Sequence, residues 1–178
     1  TLTSASASHA SAFGRATRFN PALEASWRAL AELEQAAGRP TAAEAGRAQA
    51  ERVARLPREL VAVMHHLHEG RLLRAEEICR HFLRANPRNV EGMRLLAQIG
   101  IKLGILDDAE FLLDSARAFE PDNIQVRLDY IDALRRRQKF AQARTEAEAL
   151  HARDPENPLF QSHLAIESMP VSYTHLRA

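Results

Sequence analysis

The chain repeats itself every 34 residues. A helix-ending proline and a small packing residue both recur at this spacing: Pro87, Pro121 and Pro155, and Ala75, Ala109 and Ala143. A fixed period of about 20–50 residues marks an array that copies one supersecondary unit. Because proline cannot continue a helix and alanine lets two helices approach closely, the copied unit is predicted to be a helix–turn–helix. The residues in this register are therefore packing residues, which indicate architecture better than chemistry.

The clearest copy spans residues 90–123, where apolar residues recur at the three- and four-residue steps of amphipathic helices. Gly104 provides a turn residue without a Cβ between its two helices. Asp107 and Asp108 follow at the predicted start of the second helix, where the helix dipole favours negative charge. The next copy has Gln138 in place of the turn glycine. The fold class predicted from this pattern is all-α, with antiparallel helix pairs stacked along the chain.

The period divides the chain into segments. We predict repeats at 21–55, 56–89, 90–123 and 124–157, and the first helix of a truncated repeat at 158–169. Residues 1–20 are expected to be the remnant of an earlier repeat or disordered, and residues 170–178 a non-native or disordered tail. Trp27 occupies a core position of the first repeat. Since the chain opens on Thr1 rather than Met, we expect a fragment or a processed product. Because its last repeat is cut short, we expect the array to continue.

Composition excludes several classes of function. With 24 basic and 23 acidic residues the formal charge is +1, so no bulk field favours nucleic acid or an anionic membrane as a partner. No apolar stretch approaches the roughly 18 residues of a membrane-spanning helix. The lone Cys79 cannot form an intramolecular disulfide, and we expect a cytoplasmic protein in which Cys79 is buried and inert.

Motifs for common enzyme chemistries are missing from the sequence. It contains no phosphate-binding P-loop, no serine nucleophile elbow and no His-Glu-x-x-His, so we predict no catalytic, cofactor-binding or metal-ligating residue. Two clusters leave alternatives open. The histidines at 65, 66, 68 and 81 are interpreted as the polar flank of a helix, with metal binding as the weaker alternative. The basic run at 135–139 is interpreted as complementing a helix C-terminus, with a phosphate or an acidic peptide as the alternative ligand.

The Trp, Leu, Gly, Ala and Pro pattern over residues 21–169 resembles the tetratricopeptide repeat superfamily. That resemblance implies a right-handed α-solenoid whose concave groove holds a protein or peptide. In that family one face of the first helix of each repeat lines the groove, and the matching residues here are Arg28, Glu32, Gln35, Leu60, Met64, Leu67, Glu91, Arg94, Gln98, Ile101, Gln125, Leu128, Asp132 and Arg135. Leu60, Met64 and Leu67 form an apolar patch that suits a peptide anchor or a docked helix, unless neighbouring repeats or a downstream domain cover it.

Three strings have a closer resemblance: 72–87 (LLRAEEICRHFLRANP), 93–113 (MRLLAQIGIKLGILDDAEFLL) and 128–141 (LDYIDALRRRQKFA). They are similar to the N-terminal arrays of bacterial tetratricopeptide-repeat sulfotransferases. In that family the array precedes a catalytic domain that uses 3′-phosphoadenylyl sulfate, and the resemblance implies such a domain beyond Ala178. No residue here matches its donor-binding loop. We therefore predict an interaction module for a protein or peptide, with the non-catalytic part of a sulfotransferase as the alternative.

Overall fold

The computed structural model describes residues 24–168, which form nine α-helices and no strand. In chain order these are α1 (Glu24–Ala36), α2 (Pro40–Arg55), α3 (Arg58–His68), α4 (Leu72–Ala85), α5 (Val90–Leu103), α6 (Leu106–Phe119), α7 (Ile124–Arg136), α8 (Phe140–Arg153) and α9 (Pro158–Ser168). The predicted all-α fold class is confirmed. The expectations for residues 1–20 and 170–178 lie outside the described residues.

Successive helices are joined by turns of two to four residues. Connections this short reverse the chain direction, so two helices that pack together on either side of such a turn form an antiparallel hairpin. Two helices fall within each of the four ranges predicted as repeats, and α9 falls within the range predicted for the truncated one. Pro87, Pro121 and Pro155 each lie two residues beyond the end of a helix, at α4, α6 and α8. They therefore stop the second helix of their hairpins, since proline lacks the N–H that would continue it.

The chain divides into two compact units, Thr1–Ile99 and Gly100–Ala178, and the division falls inside α5. In the first unit α1 packs against α2, and α3 packs against α4. In the second unit α6 packs against α7, α7 against α8, and α8 against α9. Each unit therefore has its own set of packed helices.

The turn inside each helix pair has a left-handed residue at the same register position. Gly38, Gly70 and Gly104 have φ angles of +72°, +74° and +80°. Gln138 takes the fourth such position with a φ of +60°. Glycine adopts this region without steric cost, whereas a side chain is strained there by about 1–2 kcal/mol. The fourth turn is therefore built on the same conformation but is held at a higher energy.

Small residues set the spacing of the packed helices. The alanines of the 34-residue register, Ala75, Ala109 and Ala143, are fully buried, as is Ala43 of the first helix pair. In the first unit a Cβ built on Gly46 would lie only 3.1 Å from Ala31 Cβ, so α1 and α2 come into near backbone contact there. Larger side chains at such crossings would separate the helices, because protein interiors are close-packed. Trp27 is only partly buried in α1, less enclosed than its predicted core position implies.

Candidate functional site

The residues predicted to line a groove differ widely in exposure. In the first unit Arg28, Glu32 and Gln35 are exposed, and Leu67, Glu91 and Gln98 are partly buried. In the second unit Gln125 is exposed, and Ile101, Asp132 and Arg135 are partly buried. Four are enclosed: Leu60, Met64, Arg94 and Leu128, with exposed fractions of 0%, 6%, 4% and 8%. Leu60, Met64 and Arg94 therefore have little surface that could meet a ligand, whereas Leu128 keeps a small area that lines a cleft.

The apolar surface patch predicted around Leu60 and Met64 needs correction. Leu60 has no exposed surface and Met64 almost none, so both belong to the core of the first unit. The physical reason is the hydrophobic effect, since enclosing such a side chain is worth roughly 1.5–3 kcal/mol over leaving it in water. Leu67, one turn further along α3, remains partly exposed. Leu60 and Met64 cannot anchor a peptide without unpacking α3.

Arg94 is the charged member of the same 34-residue register as Leu60 and Leu128. Its guanidinium binds the carboxylate of Glu91 through two hydrogen bonds, with Nε 3.0 Å from Oε2 and Nη2 2.7 Å from Oε1. Burial works to raise the pKa of Glu91, but the hydrogen bonds and charge of Arg94, helped by Arg52, lower it overall. Arg94 is therefore occupied within the protein and is corrected from a groove residue to a structural ion pair.

A small cleft lies between α1 and α2 in the first unit. Its volume is about 270 Å³, and Arg28 and Glu32 from the predicted set line it, together with Arg47 and Glu51. Gln35 does not contribute to the lining. Arg28 also pairs with Glu24, with Nη2 2.6 Å from Oε1. This cleft brings together only two of the predicted residues and presents compensated charges.

A larger cleft in the second unit brings together four predicted residues. It lies between α7 and α9 and has a volume of about 350 Å³. The α7 side is lined by Gln125, Leu128, Asp129, Ile131, Asp132 and Arg135, and the α9 side by Leu159, His163 and Glu167. All of the groove residues predicted for repeat 124–157 therefore face one surface. This cleft is the candidate site.

Polar side chains of α7 are held in place by each other. Asp132 accepts hydrogen bonds from Arg135 Nη2 at 2.6 Å and from Arg136 Nε at 2.7 Å, one on each carboxylate oxygen. Burial works to raise the pKa of Asp132, but the hydrogen bonds and charges of these two arginines outweigh it and lower the pKa. Gln125 Nε2 donates to Asp129 Oδ1 at 2.9 Å. This wall of the cleft is charged at neutral pH and preorganised.

The pKa of Glu167 on the α9 side is shifted in the opposite direction to that of Asp132. Its side chain is 3% exposed, and its Oε1 is buried without a hydrogen-bond donor. The nearest cation, Arg135, has its Nη1 3.9 Å from that oxygen, beyond hydrogen-bonding distance. Burial raises the pKa of Glu167, and Arg135 and His163 only partly oppose the rise. The cleft therefore contains one acceptor that the protein leaves unsatisfied.

Five lining residues are not predicted from the sequence: Asp129 and Ile131 on α7, and Leu159, His163 and Glu167 on α9. The predicted groove residues end with the fourth full repeat, because α9 lies in the range predicted as a truncated copy. A signal is nevertheless present, because Leu159 lies 34 residues after Gln125, which is predicted to line the groove. Extending the same register by one copy places Leu159 on the site.

The basic run at 135–139 is engaged in ion pairs within the second unit. Arg137 and Lys139 pair with Glu110 at 2.6 and 2.7 Å, and Arg137 also contacts Asp107. Burial works to raise the pKa of Glu110, but its hydrogen bonds to Lys139 and Arg137 lower it overall. These cations hold α6 to the turn after α7, which favours a structural role for them.

The histidine cluster of α3 provides no metal site. His65 and His66 face Glu69, with Nε2 and Nδ1 lying 3.4 and 3.8 Å from its carboxylate oxygens. Within residues 24–168, no group of three or more His, Cys, Asp or Glu side chains is arranged to hold a metal ion. The interpretation of these histidines as the polar flank of a helix is consistent with these contacts.

Cys79 is buried, as predicted. It has no exposed surface, and its Sγ donates to the backbone oxygen of Gly92 at 3.3 Å. Burial raises the pKa of its thiol to about 12, so the reactive thiolate is absent near neutral pH.

Comparison with known proteins decides the family. The family profile described as tetratricopeptide repeat matches residues 66–126 and again residues 101–165, which together cover more than half of the chain. The chain belongs to the tetratricopeptide repeat family. The two overlapping matches are offset by 35 residues at their starts, close to the period read from the prolines and alanines. No curated protein is significantly similar to this tetratricopeptide-repeat chain.

Solved structures support the same fold. A thermophilic tetratricopeptide-repeat protein of Thermus thermophilus is similar with a TM-score of 0.57 and 21% sequence identity, over 89% of this chain and 88% of that one. A tetratricopeptide-repeat protein of Parabacteroides merdae also has a TM-score of 0.57, at 16% identity, over 89% of this chain and 64% of that one. At these identities the likeness shows the tetratricopeptide-repeat solenoid fold alone.

Within the part of this tetratricopeptide-repeat chain that the structure describes, every helix is too short or too polar to cross a membrane.

Proposed function

We propose that this tetratricopeptide-repeat chain is a protein–protein interaction module that binds a peptide or helical segment of its partner in the α7/α9 cleft. The observation that carries the proposal is the convergence of Gln125, Leu128, Asp132 and Arg135 on one open cleft. The resemblance to the tetratricopeptide repeat family is what assigns those residues to a ligand-binding face. Since the family match supports an interaction module, the cleft is the best place to look for its contact surface.

The lining of the cleft suits a short segment with mixed chemistry. Leu128 is nearly buried and forms an apolar floor, while Leu159 is 47% exposed and forms one wall. Around them lie the amide of Gln125 and the ion-paired Asp132 and Arg135. Recognition of this kind takes most of its affinity from a few apolar contacts, and the polar rim determines which partner fits.

Replacing Leu159 with arginine tests the proposal. Peptides would first be selected against the chain from a displayed random library, and their affinities measured by fluorescence anisotropy. Leu159→Arg puts a bulky charge in the mouth of the cleft without emptying the core, so we expect affinity to fall by about 10-fold or more. The matched control is Leu73→Arg, because Leu73 is 74% exposed on α4 in the other unit. Equal affinity of the two variants would place the binding surface elsewhere.

A second proposal concerns the protein to which this chain belongs. The strings at 72–87, 93–113 and 128–141 support a bacterial, cytoplasmic sulfotransferase in which the array recruits or orients a substrate or mediates self-association. The donor, 3′-phosphoadenylyl sulfate, would then be bound by a separate domain rather than by these repeats. Reading the coding sequence beyond Ala178 distinguishes this from a scaffold. A strand followed by a phosphate loop rich in Ser, Thr and Gly supports the enzyme, whereas further 34-residue repeats contradict it.

A further inference from the structure

Glu167, in the α7/α9 cleft, has a buried carboxylate oxygen with no hydrogen-bond partner. Its side chain is 3% exposed, and Oε1 accepts no hydrogen bond. Burying an ionised carboxylate without a donor costs several kcal/mol, because the charge loses its hydration. A site with an unsatisfied acceptor gains binding energy from any ligand group that supplies a donor.

Arg135 cannot supply that donor while it keeps its present partner. Its Nη2 is 2.6 Å from Asp132 Oδ1, whereas its Nη1 is 3.9 Å from Glu167 Oε1. The other oxygen of Asp132 accepts a hydrogen bond from Arg136, so both carboxylate oxygens of Asp132 are bound to arginines. No donor of the cleft bonds Glu167 Oε1 in this structure, so a bound ligand is able to supply one.

The charges of the cleft favour a cationic donor. Three carboxylates line it, those of Asp129, Asp132 and Glu167, against the single guanidinium of Arg135. Asp and Glu side chains therefore outnumber Arg side chains in the lining. A metal ion does not fit the donor set, since no metal-holding group of His, Cys, Asp or Glu is found between residues 24 and 168. The geometry and the charge agree on an organic cation.

We propose that the cleft accepts a lysine or arginine side chain of the partner segment, with its charged end at Glu167 Oε1 and its alkyl stem against Leu128 and Leu159. This inference rests on the proposed function and names the chemistry of the partner. Lysine and arginine suit such a site because their aliphatic stems cover apolar surface while the head reaches a polar group. A charge-assisted hydrogen bond to a carboxylate is about twice as strong as a neutral one.

Entry of the cation requires a small movement of Arg135. Glu167 Oε1 is enclosed, so a neighbouring side chain has to move before a donor can reach it, and we expect this to be the Arg135 guanidinium, whose Nη1 lies 3.9 Å away. The Arg135 side chain is 39% exposed, so it has solvent to move into. Its shorter contact with Asp132 can be kept during the turn. We therefore expect the cation to displace Arg135 from Glu167 while Arg135 keeps its hydrogen bond to Asp132.

The test uses a positional-scanning library of capped hexapeptides in which each position samples all side chains. We expect Lys and Arg to be preferred at one position. In the best peptide, replacing that residue with uncharged norleucine should lower the affinity by about 10-fold or more, the range for a hydrogen bond to a charged group. In Glu167→Gln the same replacement should change the affinity by less than about 3-fold, because the charge on the protein is gone. Glu156→Gln makes an equal charge change at an exposed residue just before α9 and should behave as the wild type.

The outcomes separate this inference from the proposed function. If the library yields peptides without a Lys or Arg preference, or if Glu167→Gln keeps the full norleucine effect, the cationic site is wrong while a binding cleft stands. If no peptide binds, or if peptides bind equally well to Leu159→Arg, both are overturned. Thermal melting provides the folding check. Glu167→Gln should melt at the same temperature as the wild type or higher, since it removes an unsatisfied buried charge.

Discussion

Arg94 and Glu91 form a two-point ion pair on a single turn of α5, with hydrogen bonds of 3.0 and 2.7 Å and side chains that are 5% and 19% exposed. Pairs this enclosed behave differently from the surface pairs found elsewhere on the chain. Their net contribution relative to an apolar pair is small, but the removal of one partner leaves a charge without hydration. The stability of the first unit should therefore depend on both residues being present together.

Replacing Arg94 with methionine should lower the free energy of unfolding by about 3 kcal/mol, because Glu91 is left buried and unpaired. The double variant Glu91→Gln/Arg94→Met should recover most of this loss. As a control, Arg28→Met removes an ion pair in which Arg28 is 63% exposed and should cost less than about 1 kcal/mol. Urea denaturation followed by circular dichroism measures all three. A double variant no more stable than Arg94→Met would contradict the prediction.

The same pair predicts a pH dependence. The folded-state pKa of Glu91 lies below its ordinary value of 4.5, so its contribution to stability is present above that pH and lost as pH falls through the lowered folded pKa. Arg94→Met should therefore lose less stability than the wild type between neutral pH and about pH 3. Denaturation curves at several acidic pH values test this.

Gln138→Gly should stabilise the fourth helix hairpin. The left-handed φ of +60° strains any side chain, and glycine would relieve roughly 1–2 kcal/mol of that strain. About half of this gain is offset, because glycine gives the unfolded chain more conformational entropy. We expect a net gain of about 0.5–1 kcal/mol in urea denaturation. The matched control is Gly104→Gln, at a φ of +80° with no other atom within 4 Å of an added Cβ, which should lose a similar amount through the backbone alone. Destabilisation by Gln138→Gly would show that the glutamine side chain has a role of its own.

Cys79 should make the protein less stable at alkaline pH. Burial raises the thiol pKa from 9.0 to about 12, so the unfolded chain ionises first and binds fewer protons than the native state. Stability is therefore lost as pH rises above about 9, by up to about 1.4 kcal/mol per pH unit. The measurement is the difference in unfolding free energy between the wild type and Cys79→Ala at about pH 7 and about pH 10, chosen on either side of the thiol's ordinary pKa. Other titrating groups cancel in this comparison. A difference that does not shrink at the higher pH would rule out the shift.

The sequence was sufficient to predict the helices and turns because their signals are local. The left-handed turns at Gly38, Gly70 and Gly104 favour glycine, and the buried position of Ala109 favours a small residue. Each of these structural requirements can therefore be recognised from the residue type in the sequence. Gln138 fits the same turn although its residue type does not, and only the period revealed it. A repeat period can still be recognised when one copy has an unusual residue, because the other copies have the expected residue at that position.

The accessibility of the groove face could not be predicted in the same way. Leu60, Arg94 and Leu128 share one register, but their burial depends on what covers them, which is decided by residues distant in sequence. Nor does the one-dimensional pattern show that Glu167 comes within 3.9 Å of Arg135, since that distance depends on how α7 and α9 cross. Residue type predicts which face of a helix is special; only three-dimensional packing decides whether that face is open.

The buried alanines also determine how freely this sequence can change. Ala43, Ala75, Ala109 and Ala143 are points where a single added methylene would force two helices apart, whereas the exposed positions around them have room for larger side chains. Selection on shape therefore acts on a sparse set of sites and leaves the rest to drift. Two solenoids can then retain the same hairpins while sharing only 21% or 16% of their residues. Under the proposed function, substitutions at exposed cleft positions would change the partner with little cost to the packed helices that support the cleft.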